Sequence, residues 1–166
     1  MNHRFLSVIA MTLIFSLAFA SCKKDDEKEP ETPVVENKYY VQYQIDNQVT
    51  GKPFSNIFGA DVTYTNEKGA DVVLKNVTLP WSVTITVTKP FTAKMTGKYI
   101  VNVGDEAIPD TVRYGHNTSI LWKHASNSTW NSNSGSGYYS LLKEKFLETL
   151  TTHPESFEFK RESEIQ

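Results

Sequence analysis

Residues 39–46 read Tyr-Tyr-Val-Gln-Tyr-Gln-Ile-Asp, and the reading of the whole chain turns on them. Tyr39, Val41, Tyr43 and Ile45 share one parity, while Tyr40, Gln42, Gln44 and Asp46 share the other. Successive side chains of a strand point to opposite faces, so this order predicts a strand with a dry face and a wet one. The alternation returns where Val83, Ile85 and Val87 interleave with Ser82, Thr84, Thr86 and Thr88. It returns again in Phe91, Ala93 and Met95 and in Tyr99, Val101 and Val103, read as a strand pair broken at Gly97. Two shorter β-prone runs, 59–65 and 70–75, are joined by Asn66-Glu67-Lys68-Gly69, a hairpin signal because Gly supplies the positive φ that such a turn needs. Pro80 cannot donate a ladder bond, so it marks the start of the strand at Trp81, whose ring is expected to cap one open end of the fold. Val, Thr, Ile and Tyr dominate throughout, and short strands at this spacing predict an antiparallel sandwich.

The C-terminal third departs from this pattern. Residues 110–114 and 119–123 read as two further strands. Residues 125–137, Ala-Ser-Asn-Ser-Thr-Trp-Asn-Ser-Asn-Ser-Gly-Ser-Gly, read as a polar loop, either disordered or a ligand-contacting excursion. Residues 138–151 read as an amphipathic helix, because Tyr139, Leu142, Phe146 and Leu150 follow helical spacing with Lys143, Glu144 and Glu148 largely opposite. His153-Pro154 ends that helix, which is expected to cover an edge or end of the sandwich. Residues 156–160 alternate as a final strand, followed by a charged tail.

The start of the chain is an address. His3 and Arg4 precede an apolar run from Phe5 to Ala20, interrupted only by Ser7, Thr12 and Ser16. About 16 such residues are short for a bilayer span, which needs roughly 20, and suit the apolar region of a secretory signal. The run ends in Phe19-Ala20-Ser21-Cys22, with small residues directly before the only cysteine. Residues 22–36 then form a Pro-containing spacer in which Lys23 to Glu36 hold three Lys against six acidic residues. Apart from Val34 and Val35 it offers no apolar surface to bury, and it reads as disordered and solvated. The folded remainder, from Asn37, carries 13 basic and 13 acidic residues, so the formal net charge of −2 gives no steering field for a strongly charged partner.

The Cys22 segment resembles a bacterial lipobox. That resemblance implies a signal peptide at residues 1–21, cleavage before Cys22, and membrane attachment through acyl chains on Cys22. Two or more chains hold a protein stably where one does not. The Lys and consecutive acids directly after Cys22 resemble the export signal of surface-exposed lipoproteins of the Bacteroidota, which implies display on the outer face of the outer membrane. The alternative for this spacer is the periplasmic face. A second resemblance lies in Asp61-Val62-Thr63-Tyr64-Thr65-Asn66-Glu67-Lys68-Gly69 and Asn76-Val77-Thr78-Leu79-Pro80-Trp81-Ser82-Val83-Thr84-Ile85. These stretches look like the core of the mycobacterial-membrane-protein-small (MmpS) accessory family, over residues 39–105. The resemblance implies a mainly β fold, an antiparallel immunoglobulin-like β-sandwich, here with one C-terminal amphipathic helix. It also implies, more remotely, accessory work for an envelope transporter. The chain departs from that family in having a lipid anchor in place of a membrane helix and an unrelated C-terminal third.

Chemistry finds little support. The balanced charge lacks the clustered Lys and Arg of a nucleic-acid binder, and a single Cys excludes an internal disulfide and a Cys-rich zinc site. The sequence holds no HExxH, no Gly-x-Ser-x-Gly and no phosphate-cradling glycine loop. His116, His124 and Asp110 are the one conceivable metal set, and ordinary loop histidines are the simpler reading. The expectation is a non-enzymatic protein without a cofactor. Trp122, Trp130 and Tyr138 flank or lie in the Asn/Ser/Gly loop and are the candidate ligand contacts, since flat rings stack while short polar side chains adapt. The partner expected there is a glycan or a protein. The alternative function is that of a periplasm-facing accessory subunit of an envelope transport complex.

Overall fold

Asn37 is the first residue that the structure, a computed structural model, describes, and the description runs to Gln166. The expected signal peptide (residues 1–21), Cys22 and the expected spacer (to residue 36) lie outside the described residues. The alternating segment at the start becomes β1 (Lys38–Ile45). A short ribbon follows, β2 (Gln48–Val49) and β3 (Lys52–Pro53), and then β4 (Phe58–Thr65), β5 (Asp71–Thr78), β6 (Trp81–Thr88) and β7 (Phe91–Val101). The C-terminal part supplies β8 (Thr111–His124), β9 (Asn131–Leu142), helix α1 (Lys143–Thr152) and β10 (Glu158–Ile165). One sheet runs in the order β6-β1-β8-β9 and the other in the order β10-β7-β4-β5, with every pairing antiparallel. The protein is thus mainly β, an antiparallel β-sandwich that sets four strands against four, with one α-helix among the described residues.

The dry parity of each strand supplies the core. Val41, Tyr43 and Ile45 of β1 and Val112 and Ile120 of β8 face Ala60, Val62, Ala93 and Met95 of the other sheet, all essentially without solvent exposure. The Tyr43 hydroxyl crosses to the opposite sheet and donates to the Thr65 carbonyl at 2.7 Å. Burial pushes the Tyr43 phenol pKa well above its ordinary value, so it stays a donor. The Asn66–Gly69 hairpin forms as its residues predict: Gly69 adopts φ +77°, and the Asn66 side-chain oxygen accepts the N–H groups of Lys68 and Ala70. Pro80 directly precedes β6, and the half-buried Trp81 ring lies 5.8 Å from that of Tyr64.

Five expectations are corrected. The break expected at Gly97 does not occur, because β7 runs straight through it. A Cβ at Gly97 would lie 2.1 Å from the Asp61 carbonyl oxygen, at the bulge between Ala60 and Val62, so the glycine makes room for the neighbouring strand. The strands expected at 110–114 and 119–123 are one strand, β8. The polar loop expected over 125–137 is a turn only as far as Trp130, and Asn131 onward is the edge strand β9. The helix expected at 138–151 starts five residues later, at Lys143, with Tyr138 and Tyr139 belonging to β9. Tyr139 stacks on its cross-strand partner Tyr114 at 5.2 Å, and Leu142 is 70% exposed, so neither serves the helical stripe that their spacing mimics. Helix α1 covers one end of the sandwich through Phe146, fully buried among Phe58, Tyr114 and Phe157. The residues expected as a charged tail continue β10, paired with β7 to Ile165 opposite Phe91.

Candidate functional site

The register of β1 against β8 places Tyr40 directly opposite Lys123 on the outer face of the β6-β1-β8-β9 sheet. The turn after β8 then brings Trp130 back over the same spot. That turn is ordered by short polar residues: the Asn127 N–H donates to the His124 carbonyl, the Ser126 N–H donates to His124 Nδ1, and the Ala125 N–H donates to the Lys38 carbonyl at 2.8 Å. The Lys123 ammonium lies 5.0 Å from the Trp130 ring centroid and 5.9 Å from that of Tyr40, so one cation sits between two rings. Trp130 is 36% exposed and Tyr40 37%, so part of each ring is open to solvent.

Beyond this cluster the outer face is a polar strip. Pairing sets Gln42 beside Leu121, with Ser132 beyond it, and Gln44 beside Ser119, with Ser134 beyond it, while Thr84 and Ser82 of β6 complete the two rows and Leu121 is their one apolar member. Amides and hydroxyls in register form a flat donor and acceptor lattice headed by two rings and an amine. Such a surface can stack a planar or pyranose ring and hydrogen-bond its substituents.

The candidates named from sequence are dispersed. Trp130 is in the cluster. Trp122 lies on the opposite, inner parity of β8 beside Val41, half-buried against the core. Tyr138 is on the outer face of β9, eight residues and about 26 Å along the strand from Trp130. There its ring is covered by Phe54, at 6.3 Å, and by the Lys52 ammonium, at 5.6 Å. Tyr40 and Lys123 were not among those candidates, although an aromatic on the wet parity of β1 was a readable signal. His116 and His124 are likewise eight residues apart on one strand, so they do not meet, and among the described residues no three His, Cys, Asp or Glu side chains gather where a metal ion could be held.

A second feature lies on the outer face of the other sheet, a shallow depression of about 530 Å³ lined by Asp61, Lys75, Thr96, Lys98 and Lys160 among others. Asp61 accepts the Asn76 N–H at 3.0 Å and pairs with Lys75 at 2.9 Å. The Asn76 N–H first and Lys75 second hold its carboxyl below the ordinary value. These bonds hold Asn76 at φ +51° beside the bulge, so Asp61 is committed to the backbone and stays ionised.

No protein-family model matches the chain, and no curated protein matches it either. The Tyr40–Lys123–Trp130 cluster has to be read from its own chemistry.

Proposed function

We propose that this protein is a non-enzymatic, lipid-anchored cell-envelope binding module. It is acylated at Cys22, displayed on the outer face of the outer membrane, and takes a glycan at Tyr40, Lys123 and Trp130. One observation carries the ligand class: two exposed rings flank a single amine at the head of a strip of Gln, Ser and Thr side chains. Sugar rings present C–H faces that stack on aromatics and hydroxyls that pair with amides. The face is flat where a pocket for a small molecule would be concave, which suits an extended chain of sugars.

The test is a glycan-array screen of the full chain in detergent micelles, followed by calorimetry on the best ligand. Trp130→Ala and Tyr40→Ala each weaken binding about tenfold, equivalent to ~1.4 kcal/mol per ring, with the far-ultraviolet circular dichroism and the unfolding midpoint essentially unchanged. Binding that is indifferent to both substitutions sinks the site. Protease shaving of intact cells releases the domain if it is on the surface, and Cys22→Ala abolishes its fractionation with membranes. Protection until the outer membrane is breached places the domain on the periplasmic face, the position of a transporter's accessory subunit.

A further inference from the structure

We infer that the ligand of this site belongs to the membrane that carries the protein's own anchor: an anionic, saccharide-bearing lipid headgroup. The inference rests on the lipid-anchor and glycan readings above and narrows them from any glycan to one held in the same membrane.

The first argument is position. The described chain starts at the end of the sandwich that bears the cluster. Lys38 pairs with Thr88 at the end of β6, and its carbonyl accepts the Ala125 N–H of the turn that carries Trp130. Residues 23–37 separate Cys22 from Lys38, and fifteen residues fully extended span at most about 50 Å. An anchor at Cys22 therefore keeps this end of the domain within about 50 Å of the bilayer. A tether of that kind turns binding into an intramolecular step with an effective headgroup concentration in roughly the millimolar range, so a site too weak to capture a soluble glycan is occupied.

The second argument is charge. Within the β6-β1-β8-β9 half of this end, residues 39–42, 86–90 and 121–131 contain Lys89 and Lys123 and no Asp or Glu. The Lys89 ammonium lies 4.5 Å from the Tyr39 ring centroid, and Lys123 lies between Tyr40 and Trp130. Lysines interleaved with Tyr and Trp are the composition that settles at a headgroup layer, where rings occupy the interface and amines meet anionic groups. Glu67, Asp71 and Glu164, against Lys68, belong to the other sheet's half of the same end. The asymmetry turns the cationic, aromatic half toward an anionic surface. The acidic spacer weakens that attraction overall but leaves the difference between lysine variants intact.

The test uses the acylated mature protein, residues 22–166, reconstituted into phosphatidylcholine vesicles, alone or with lipopolysaccharide or phosphatidylglycerol. Flotation with all three scores the anchor by itself, and failure to float overturns the anchor reading and this inference together. Acrylamide quenching of Trp130, taken as the difference between wild type and Trp130→Phe, scores the site. Quenching is expected to fall with lipopolysaccharide and to stay unchanged in phosphatidylcholine. Lys89→Gln and Lys123→Gln each weaken the protection about fivefold, and both together roughly thirtyfold. Lipid-free polysaccharide added to phosphatidylcholine vesicles protects Trp130 only at far higher concentration. Equal protection by lipid-free polysaccharide overturns the inference and leaves the glycan reading standing. Equal protection by phosphatidylglycerol overturns the saccharide component, and no protection in any arm overturns both readings.

Discussion

The two sides of the sandwich are closed in opposite ways. On the β5 and β6 side, large apolar side chains fill the space: Trp81 and Tyr64 lie 5.8 Å apart, Tyr64 and Tyr43 5.2 Å, and Ile45, opposite Trp81, is fully buried. On the β9 and β10 side the space is emptied first. Gly135 and Gly137 present no side chain to the interior, and the Arg161 guanidinium and His116 ring occupy the vacated volume. Arg161 Nε donates to the Thr118 carbonyl at 3.4 Å, and the Asn133 side chain donates to the Glu162 carbonyl at 2.8 Å, so the two edge strands are joined by polar groups reaching across. One side fails when atoms are removed, the other when atoms are added.

That contrast can be broken or sharpened by substitution. The largest effect is expected on the filled side, where Ile45→Ala costs about 2–5 kcal/mol in urea unfolding through lost burial and the cavity left behind. A cost under ~1 kcal/mol would show that the filled side is not closely packed. Gly115→Ala comes next, at about 1–3 kcal/mol or more, because its Cβ would lie 1.9 Å from the Gly137 carbonyl oxygen and backbone must yield. Hydrogen exchange in β9 should accelerate selectively, and uniform loss of protection would deny that the strain is local.

Gly135→Ala is milder, since its Cβ would meet the Arg161 guanidinium, the far end of a flexible side chain. We expect ~1 kcal/mol, most of it absent in an Arg161→Ala background; a double-mutant cycle with no coupling refutes the proposed use of the vacated space. Tyr43→Phe removes only the hydrogen bond to Thr65 and costs about 1 kcal/mol. The smallest effect is a pH dependence peculiar to the emptied side. Burial first and Arg161 second lower the His116 pKa, so the unfolded chain binds the proton more readily than the folded one. Stability held above the unfolded pKa, near 6.5, is then lost as pH falls from there through the depressed folded value. His116→Gln should flatten that slope, and an unchanged profile assigns the dependence elsewhere.

The same contrast explains what was legible in the sequence. The filled side is written in the strict alternation of residues 39–46 and 82–88, where each inward position needs an apolar side chain and each outward one a polar one. The hairpin at Asn66–Gly69 was equally readable, because its φ requirement is local. Residues 131–137 gave no such signal. Their inward-parity positions are Asn131, Asn133, Gly135 and Gly137, and the last three make room for His116 and for β10, a strand that follows in sequence and whose Arg161 no local pattern connects to them. The helix boundary was misplaced for a related reason: Tyr139 pairs across a sheet with Tyr114, yet stands at helical spacing from Leu142 and Phe146. At the candidate site, Trp130 was visible as an aromatic among Ser and Asn, whereas its partners Tyr40 and Lys123 depend on a strand register linking residues more than eighty positions apart.

Strand β10 also sets an order of events. It completes the second sheet by pairing with residues 91–98, some sixty positions earlier, and its flank supplies Phe157, Phe159 and Ile165 to the core. Until residues 158–165 are present, β7 is an unpaired edge and the interior lies open along one side. A ribosome-bound or partly translocated chain therefore cannot settle into the native state early, and closing so long a loop is slow compared with forming the β8–β9 hairpin. In any chain that is threaded unfolded through a membrane, so late a strand acts as a timing device, because the native sandwich cannot close before residues 158–165 have emerged.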